Sequence, residues 1–567
     1  MIFPERLKTL HTLTPERIAV YLQFSNRDDV PITIDRLLRG SRFFAQKYAD
    51  EGIQLGEVVV LILRHSEELL YAFWGAILHG AVPSIMPFLT EKLSPERYRA
   101  DLSALISVTK PAAIVTYPDF ESEVRSAIKD GDSVRSVIVA DQVNLEVELD
   151  FDSLSGFQRD PNDIVLLQHS SGTTGLQKGV ALSHRSVFNQ LEAYGKSLSL
   201  SDDDVIASWL PLYHDMGLIA GFIMPILSGI PLVLMSPFDW VRAPYKLMYS
   251  VTKYRAALLW LPNFAYNFFA QKIRDRHLDG VDLSSLRAVI NCSEPVRWES
   301  HQAFYERFKD FGLRLETLQT SYAMAENVFG VTQSRLGHVP TVDEIDREAF
   351  MHERVAKSPV DGRPTVKMMS SGRPLENVKI RILDEQGADV SGRVIGEIIL
   401  QSNCMLTGYY NRDDLTKDAF MDGWYQTGDY GYMVGDDIFV TGRKKDMIIV
   451  GGKNVYPQDL EMLTYEVPGV HAGRSVAFGM FDEAQGTEEV VIITEVDTED
   501  SSEQQKIADA IRLHVTKNSA IALRYVKVVG PKWIIKTSSG KTARSANKTK
   551  FMDGLQRQTK SLRANIM

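Results

Sequence analysis

One loop constrains the fold more than any other part of the 567-residue chain. It reads HSSGTTGLQKGV over residues 169–180, with an apolar run on each side. Glycines allow tight turns and close backbone approach, and successive N–H groups can form a nest for an anion. Gly179 follows Lys178 where a P-loop has Ser or Thr, so this is not a P-loop. The pattern predicts a strand, a phosphate-binding loop and a second strand; the alternative is an ordinary surface turn.

Upstream of this loop, apolar runs alternate with helical patterns, which is typical of a mostly parallel sheet built from βα units. The predicted helices cover residues 33–56, 67–79, 98–109 and 120–129, and the predicted strands cover residues 58–63, 81–86, 112–116 and 136–140. The pattern resumes between residues 205 and 320 and gives way to short strands with turns from about residue 378.

These patterns predict an α/β fold. A large N-terminal domain of two parallel-sheet α/β subdomains, with a small β-rich subdomain at about 375–442, is expected over residues 1–442. Residues 447–567 have their own β-α-β pattern and a length that suits a compact domain, so we expect a small α+β C-terminal domain there.

Composition excludes several classes of function. The 63 basic and 73 acidic side chains give a net charge of −10, which argues against a general nucleic-acid binder. The two cysteines, Cys292 and Cys404, form no metal-ligand cluster and fit a reducing compartment. The sequence has neither the apolar core of a signal peptide nor a run of about 18 apolar residues. We expect a cytoplasmic protein without a membrane span.

Six further segments follow the loop in a fixed order. They are LPLYHDMGL at 210–218, NCSEP at 291–295, SYAMAE at 321–326, YQTGD at 425–429, GRKKD at 442–446 and KTSSGK at 536–541. With the loop, they closely resemble the adenylate-forming superfamily of acyl-CoA synthetases, luciferases and peptide-synthetase adenylation domains. The resemblance extends from about residue 33 to residue 544. It implies an ATP-dependent, AMP-forming ligase.

Within that superfamily the chain most resembles the fatty acyl-AMP ligases. The segments that carry this resemblance are HDMGL at 214–218, WLPNFAY at 260–266 and NVYPQDLE at 454–461. A long, polar connection at 335–370 also precedes SGRP at 371–374. In these ligases an inserted segment near this point is associated with poor use of free coenzyme A. The alternative is a surface loop that does not depend on the subfamily.

The implied chemistry has two steps. A fatty or related carboxylate attacks the α-phosphorus of ATP, releasing pyrophosphate and giving acyl-AMP, and a thiol then attacks this mixed anhydride. Because two anions meet in the first step, charge neutralisation and positioning should carry much of the catalysis. The expected acceptor is the phosphopantetheine thiol of an acyl carrier protein in trans. The alternatives are an acyl-CoA synthetase that uses free coenzyme A and a non-catalytic acyl or nucleotide sensor.

The resemblance assigns the ATP site residue by residue. The β- and γ-phosphates would lie against the loop residues Ser170, Ser171, Gly172, Thr173, Thr174, Gly175, Lys178 and Gly179. Mg²⁺, a hard cation, would be bound by Glu326 and Thr174. The adenine and ribose would contact Ser293, Glu294, Pro295, Tyr322, Asp429 and Arg443. Asp429 suits the ribose hydroxyls because an ionised carboxylate only accepts hydrogen bonds.

The resemblance also assigns Lys541, His214 and Lys445. Lys541 would bridge the carboxylate and the α-phosphate. Residues 443–446, with Lys445, would be the hinge on which a mobile C-terminal domain, residues 447–567, reorients between the steps. His214 would orient the carboxylate at the head of the acyl pocket. Without the resemblance, Lys541 would be read as a solvated lysine and His214 as a core histidine.

The expected acyl pocket rests on apolar side chains that could equally be ordinary core. Its residues are Met216, Gly217, Met224, Trp260, Phe264 and Ala265. Two positions depart from the common superfamily pattern. Ala325 replaces a threonine and so offers no hydroxyl to the α-phosphate, a change that acyl-AMP ligases often show. Ile535 replaces a proline before the last motif, which should alter only local rigidity.

Overall fold

The chain consists of two compact units in the computed structural model, which describes residues 1–89, 95–170, 178–450, 453–482, 487–519, 521–537 and 540–564. The first unit comprises Met1–Pro340, Ser371–Lys379 and Gln401–Tyr425; the second comprises Thr341–Ser370, Ile380–Leu400 and Gln426–Met567. No helix among the described residues has the length and hydropathy needed to cross a membrane.

A seven-stranded sheet in the first unit carries the predicted phosphate loop. Its strands, in spatial order, are Gly408–Tyr409, Lys178–Ser183, Ile164–Ser170, Val82–Ile85, Val58–Ile62, Ala113–Thr116 and Ser136–Val139. The last five are parallel, and the first two are antiparallel additions at one edge. All five residues of Val58–Ile62 are buried, as expected for a central strand covered on both faces.

A second seven-stranded sheet in the same unit carries the NCSEP and SYAMAE segments. Its strands, in spatial order, are Leu318–Thr320, Ala288–Asn291, Leu258–Leu261, Ile206–Ser208, Leu232–Leu234, Ile18–Leu22 and Val30–Thr33. All neighbours are parallel except the last pair. The prediction of two parallel-sheet subdomains is confirmed.

Helices cover both sheets of the first unit. They are Phe3–Leu13, Ile34–Asp50, Glu67–His79, Pro95–Thr109, Glu121–Ala127, His184–Ser197, Met224–Ser228, Pro237–Arg242, Tyr245–Tyr254, Asn263–Lys272, Trp298–Phe308 and Asp413–Asp418, with a π-helix at Met216–Ile223. Two short pairs of strands complete the unit: Thr332–Gln333 with Arg373–Pro374, and Phe420–Met421 with the start of Trp424–Val434. The predicted helix at 67–79 ends at Gly80, whose φ of 87° stops the helix in the left-handed region.

The second unit joins the β-rich region to the C-terminal residues. Its β-rich sheet has the order Asp389–Val390, Val378–Leu383, Gly396–Ser402 and Trp424–Val434, and Asp437–Arg443 pairs with the last of these. The C-terminal part contains strands Ile448–Val450, Lys453–Val455, Ser475–Asp482, Thr487–Glu495 and Leu523–Val529, and helices Pro457–Tyr465, Ser501–Ser519 and Arg544–Ala564. The predicted β-α-β pattern of this region is confirmed.

The long connection before SGRP is a folded element. Strands Val342–Asp346 and Thr365–Met369 pair antiparallel, and helix Arg347–Glu353 lies between them. We refer to Thr341–Ser370 as the inserted segment. Its buried residues Ile345, Phe350, Met351, Ala356 and Val366 share one core with Ile395, Tyr430, Tyr432, Phe439 and Tyr456. A high polar content hid this folded core from the sequence pattern.

Candidate active site

The phosphate loop joins two antiparallel strands, as its sequence predicts. Ser170 ends the first strand opposite Lys178, the first residue of the returning strand, and Gly179 lies opposite His169. The loop residues Ser171, Gly172, Thr173, Thr174 and Gly175 lie outside the described residues. The structure therefore fixes the two strand ends from which the loop starts and finishes.

Tyr409 connects two of the predicted site residues. Strand Gly408–Tyr409 pairs with the returning strand and places Tyr409 opposite Val180. The Tyr409 hydroxyl donates a hydrogen bond to Glu326 Oε1 at 2.9 Å, and Lys178 Nζ lies 4.6 Å from the centroid of the Tyr409 ring. Burial, with the neighbouring Glu326 carboxylate, raises the pKa of Tyr409, so the phenol remains a donor at neutral pH. Sequence analysis did not identify this residue.

Glu326 suits a magnesium ion that arrives with a phosphate ligand. It lies in a 3₁₀ turn, Ala325–Asn327, and its backbone carbonyl accepts from Leu406 N at 2.8 Å. No cluster of three or more His, Cys, Asp or Glu side chains among the described residues could hold a metal alone. Mg²⁺ is commonly bound by one or two carboxylates together with waters and substrate phosphates. The donor set therefore fits Mg²⁺ brought by ATP better than a resident metal.

The predicted adenine residues follow two neighbouring strands. Ala288–Asn291 and Leu318–Thr320 are adjacent and parallel, so Ser293 and Tyr322 both lie beyond carboxyl ends at one sheet edge. Such an edge is where open α/β sheets bind ligands. Ser293 has a φ of 68°, an uncommon backbone conformation for a residue with a side chain.

The neighbouring NCSEP residues differ in exposure. Glu294 Oε2 accepts from the backbone N–H of Phe264 at 2.9 Å, whereas Pro295 is exposed. This contact joins one predicted adenine residue to one predicted acyl-pocket residue.

His214 differs from the core histidines of the chain. Its Nδ1 lies 2.6 Å from Asp215 Oδ1, and 19% of its side chain is exposed. The same oxygen of Asp215 accepts a hydrogen bond from Met216 N at 2.8 Å, so the Asp215 carboxylate is held at the start of the π-helix. By contrast, His184 and His301 are buried, with 2% and 1% of their surfaces exposed. The partial exposure of His214 favours the interpretation as a site residue over that as a core histidine.

The predicted acyl-pocket residues are largely buried. Met216, Met224, Trp260 and Ala265 are buried, and Phe264 is partly exposed. Trp260 Nε1 donates to Tyr194 at 2.9 Å, and Cys292 Sγ lies 3.0 Å from Met216 Sδ. A Cβ at Gly217 would lie 2.2 Å from the carbonyl oxygen of Pro211, so no larger residue fits there. Burial is common to a core and to a closed acyl pocket, and the acyl role of these residues stays a prediction.

In the second unit, Asp429 and Arg443 lie opposite each other on paired strands. Arg443 Nε is 3.3 Å from Asp429 Oδ1; the aspartate is buried and the arginine is half-exposed. Lys445 is exposed in the 3₁₀ turn Lys444–Asp446, which directly follows this strand pair. Lys444 Nζ is held by Glu397 at 2.7 Å.

Lys541 lies in a tight turn that is closed by local hydrogen bonds. Thr537 N donates to the Lys541 carbonyl at 2.7 Å, and Lys541 N donates to Thr537 Oγ1 at 3.1 Å. Gly540 has a φ of 88°, and Lys536 and Thr542 form a bridge at the base of the turn. The described part of the turn thus holds the backbone of Lys541 by contacts within a few residues of it.

Known proteins resemble this chain over nearly its full length. Residues 11–410 match the family of AMP-binding enzymes. The chain is 30% identical over 501 residues to the probable long-chain-fatty-acid–AMP ligase FadD30 of Mycobacterium tuberculosis, covering 84% of each chain. It is 29% identical over 546 residues to the medium-chain-fatty-acid–[acyl-carrier-protein] ligase JamA of Moorena producens, covering 92% of this chain and 89% of JamA.

A solved structure has the same fold. It comes from a study of fatty acyl-adenylate ligases from E. coli and L. pneumophila, has a TM-score of 0.87 and is 26% identical, covering 98% of both chains. The ordered motifs, the two parallel sheets and these similarities agree. The chain belongs to the AMP-binding enzymes, and its resemblance to the fatty acyl-AMP ligases is confirmed.

Proposed function

We propose that the protein is a fatty acyl-AMP ligase that activates a fatty acid with ATP and passes the acyl group to the phosphopantetheine thiol of an acyl carrier protein. One observation carries this proposal. Tyr409 contacts both Lys178 and Glu326 next to the strand–loop–strand element. This arrangement supports a role for Lys178, at one end of the predicted phosphate loop, and for the Glu326 carboxylate in binding a magnesium–nucleotide complex. The names of the relatives FadD30 and JamA support the fatty acid as substrate and the carrier protein as acceptor.

Each group of site residues has a separate role in the first step. Lys178 and the loop neutralise the β- and γ-phosphates. Glu326 and Thr174 would hold Mg²⁺, which would supply further positive charge there. Asp429 and Arg443 contact the ribose, and Ser293, Glu294, Pro295 and Tyr322 contact the adenine. His214 orients the fatty carboxylate, and Lys541 bridges that carboxylate and the α-phosphate, where two anions are brought out of water.

The inserted segment supports a carrier protein rather than free coenzyme A as the acceptor. In the second step, the residues after the hinge at Lys445 are expected to reorient. The segment, however, packs against residues on both sides of that hinge. Phe350 and Met351 share a core with Tyr430 before the hinge and with Tyr456 after it.

Polar contacts add to this packing. Arg347 of the segment lies 3.8 Å from Glu466, which also accepts from His514 at 2.7 Å. The Phe350 and Tyr456 ring centroids are 6.4 Å apart.

Exposing one large apolar side chain costs about 1.5–3 kcal/mol, which corresponds to about tenfold or more in an equilibrium. We therefore propose that the segment restrains the reorientation that free coenzyme A requires and that a docked carrier protein promotes.

Mass spectrometry of parallel reactions tests the proposed function. Each reaction contains the protein, ATP, Mg²⁺ and fatty acids of increasing length, with no thiol, with coenzyme A or with a pantetheinylated carrier protein. We expect acyl-AMP to persist with coenzyme A and to discharge onto the carrier protein. Ready formation of acyl-CoA would identify a synthetase instead, and absence of any adenylate would contradict the activity itself.

Removal of the inserted segment tests the choice of acceptor. Ser370 N donates to the Thr341 carbonyl at 2.8 Å, so a short glycine–serine link can replace residues 342–369. We expect acyl-CoA formation to rise by about tenfold while acyl-AMP formation changes little. Phe350→Ala should give part of this gain. Lys367→Ala, at an exposed position of the same segment, is the matched control. A folded deletion variant with no gain would show that the segment does not restrain the second step.

A further inference from the structure

Tyr409 makes three contacts that no predicted role accounts for. Its hydroxyl donates a hydrogen bond to Glu326 Oε1 at 2.9 Å and lies 3.0 Å from the Tyr425 hydroxyl. Lys178 Nζ lies over its ring, 4.6 Å from the centroid. Tyr409 is buried, with 4% of the residue exposed. One side chain thus contacts the carboxylate expected to bind Mg²⁺ and the ammonium expected to bind phosphate.

The backbone around Tyr409 explains why these contacts are well defined. Tyr410 N donates to the Gly179 carbonyl, and Thr407 N donates to the Ala181 carbonyl, both at 2.8 Å. Leu406 N donates to the Glu326 carbonyl, also at 2.8 Å. The short run from Leu406 to Tyr410 is therefore tied both to the strand that leaves the phosphate loop and to the turn that carries Glu326.

The two halves of the Tyr409 side chain serve different partners. The hydroxyl orients one oxygen of the carboxylate and leaves the group with acceptor capacity for a cation. The ring face attracts the ammonium through its quadrupole and limits where Lys178 can point. Because Tyr409 donates to Glu326, the hydrogen between the two phenols comes from Tyr425, the first residue of the YQTGD segment. Tyr425 thus supports the Tyr409 hydroxyl through this hydrogen bond.

We infer that Tyr409 is a positioning residue for magnesium-bound ATP, setting the Glu326 carboxylate through its hydroxyl and the Lys178 ammonium through its ring. This inference rests on the proposed function, since it assumes that Lys178 and Glu326 act on the same nucleotide. Outer contacts of this kind typically change metal affinity by about 10–100-fold when they are removed. The hydroxyl and the ring should therefore be separable by substitution.

Calorimetric titration of ATP into the full-length protein, with excess Mg²⁺ and with a chelator, provides the test. The readout is the factor by which Mg²⁺ tightens ATP binding, and it needs no fatty acid. Tyr409→Phe removes the hydroxyl and keeps the ring, so this factor should fall by about tenfold while metal-free binding stays the same. Tyr409→Leu removes both, so metal-free binding should weaken as well. Tyr425→Phe, the matched control, should lower the factor by less than Tyr409→Phe.

Two results would overturn the inference. One is a Tyr409→Phe protein that keeps the full magnesium-dependent gain. The other is equal weakening with and without Mg²⁺, which would indicate a structural role only. Tyr409→His, which keeps a ring and a donor, is the second variant should the Phe protein fail to fold; it should retain more of the gain than Tyr409→Leu. A wild-type protein that binds ATP but adenylates no fatty acid would contradict the proposed function and leave this test intact.

Discussion

The two lysines that the proposed mechanism uses are held in different ways. Lys178 begins a strand inside a seven-stranded sheet, and its ammonium lies over the ring of Tyr409, which comes from a distant part of the sequence. Lys541 lies in a turn whose described hydrogen bonds come from Thr537, four residues earlier. The position of Lys178 thus depends on the fold of the first unit, whereas the backbone of Lys541 has hydrogen bonds to a residue four positions away.

This difference matches the separate demands of the two steps. A phosphate-binding cation serves best in a fixed place, because ATP must be held the same way in every turnover. A cation that is needed for adenylation and not for thiol transfer serves best on an element that keeps its own shape when it moves. Backbone hydrogen bonds between Thr537 and Lys541 favour that property, because they join residues of one short segment.

Removing Lys541 should have the largest effect and should separate the two steps. We expect Lys541→Ala to lower acyl-AMP formation by about 10²–10³-fold, because a charge aimed at the reacting anions is lost. Transfer from supplied acyl-AMP to the carrier thiol should be spared. Single-turnover assays of each half-reaction measure this, with Lys536→Ala in the same turn as the control. Equal loss of both steps would refute the assignment.

Removing Lys178 should have a smaller effect that is confined to the nucleotide. Lys178→Ala should lower kcat/KM for ATP in pyrophosphate exchange by about 10–100-fold, since the loop N–H groups remain to bind phosphate. Lys178→Arg, which keeps the charge and can still lie over the Tyr409 ring, should recover part of the loss. An unchanged kcat/KM for ATP would remove Lys178 from the phosphate site.

The glycines beside the two lysines give the smallest and most direct comparison. At Gly540 the φ of 88° disfavours any side chain by about 1–2 kcal/mol, so Gly540→Ala should lower adenylation by about tenfold. A Cβ at Gly179 would lie 3.6 Å from Tyr410 Cβ, an ordinary contact, so Gly179→Ala should change adenylation little. Pyrophosphate exchange measures both. A larger loss of adenylation for Gly179→Ala than for Gly540→Ala would show that the Lys541 turn tolerates distortion and that the sheet edge does not.

Much of the fold could be predicted because its signals are local. The helix Glu67–His79 has acidic residues in its first turn and glycine after its last, and Val58–Ile62 is continuously apolar. The apolar runs on each side of the loop predict the strand–loop–strand element, and the two strands pair antiparallel. These features need no knowledge of the rest of the chain.

The features missed by sequence analysis depend on distant partners. Nothing in the GYY triplet at 408–410 indicates that its first tyrosine pairs opposite Val180 and reaches Glu326. The connection at 335–370 was identified from the sequence, but the folded core of the inserted segment was not, for the same reason. Its apolar residues are few and spaced among polar ones, and they find their partners in Tyr430, Tyr432 and Tyr456. Apolar spacing reveals an element that buries one of its own faces, but not a core assembled from separate segments.

The way the inserted segment begins and ends has a consequence for evolution. Val342 pairs with Met369, and Thr341 and Ser370 share a backbone hydrogen bond, so the chain leaves and re-enters the fold at one place. A module with adjacent ends can be gained or lost by a single in-frame insertion or deletion that leaves the two new chain ends close together. If the segment has the role we propose, one such insertion or deletion can switch the acceptor preference of an enzyme in this family. Enzymes with the segment and enzymes without it need not then form separate groups by overall sequence identity.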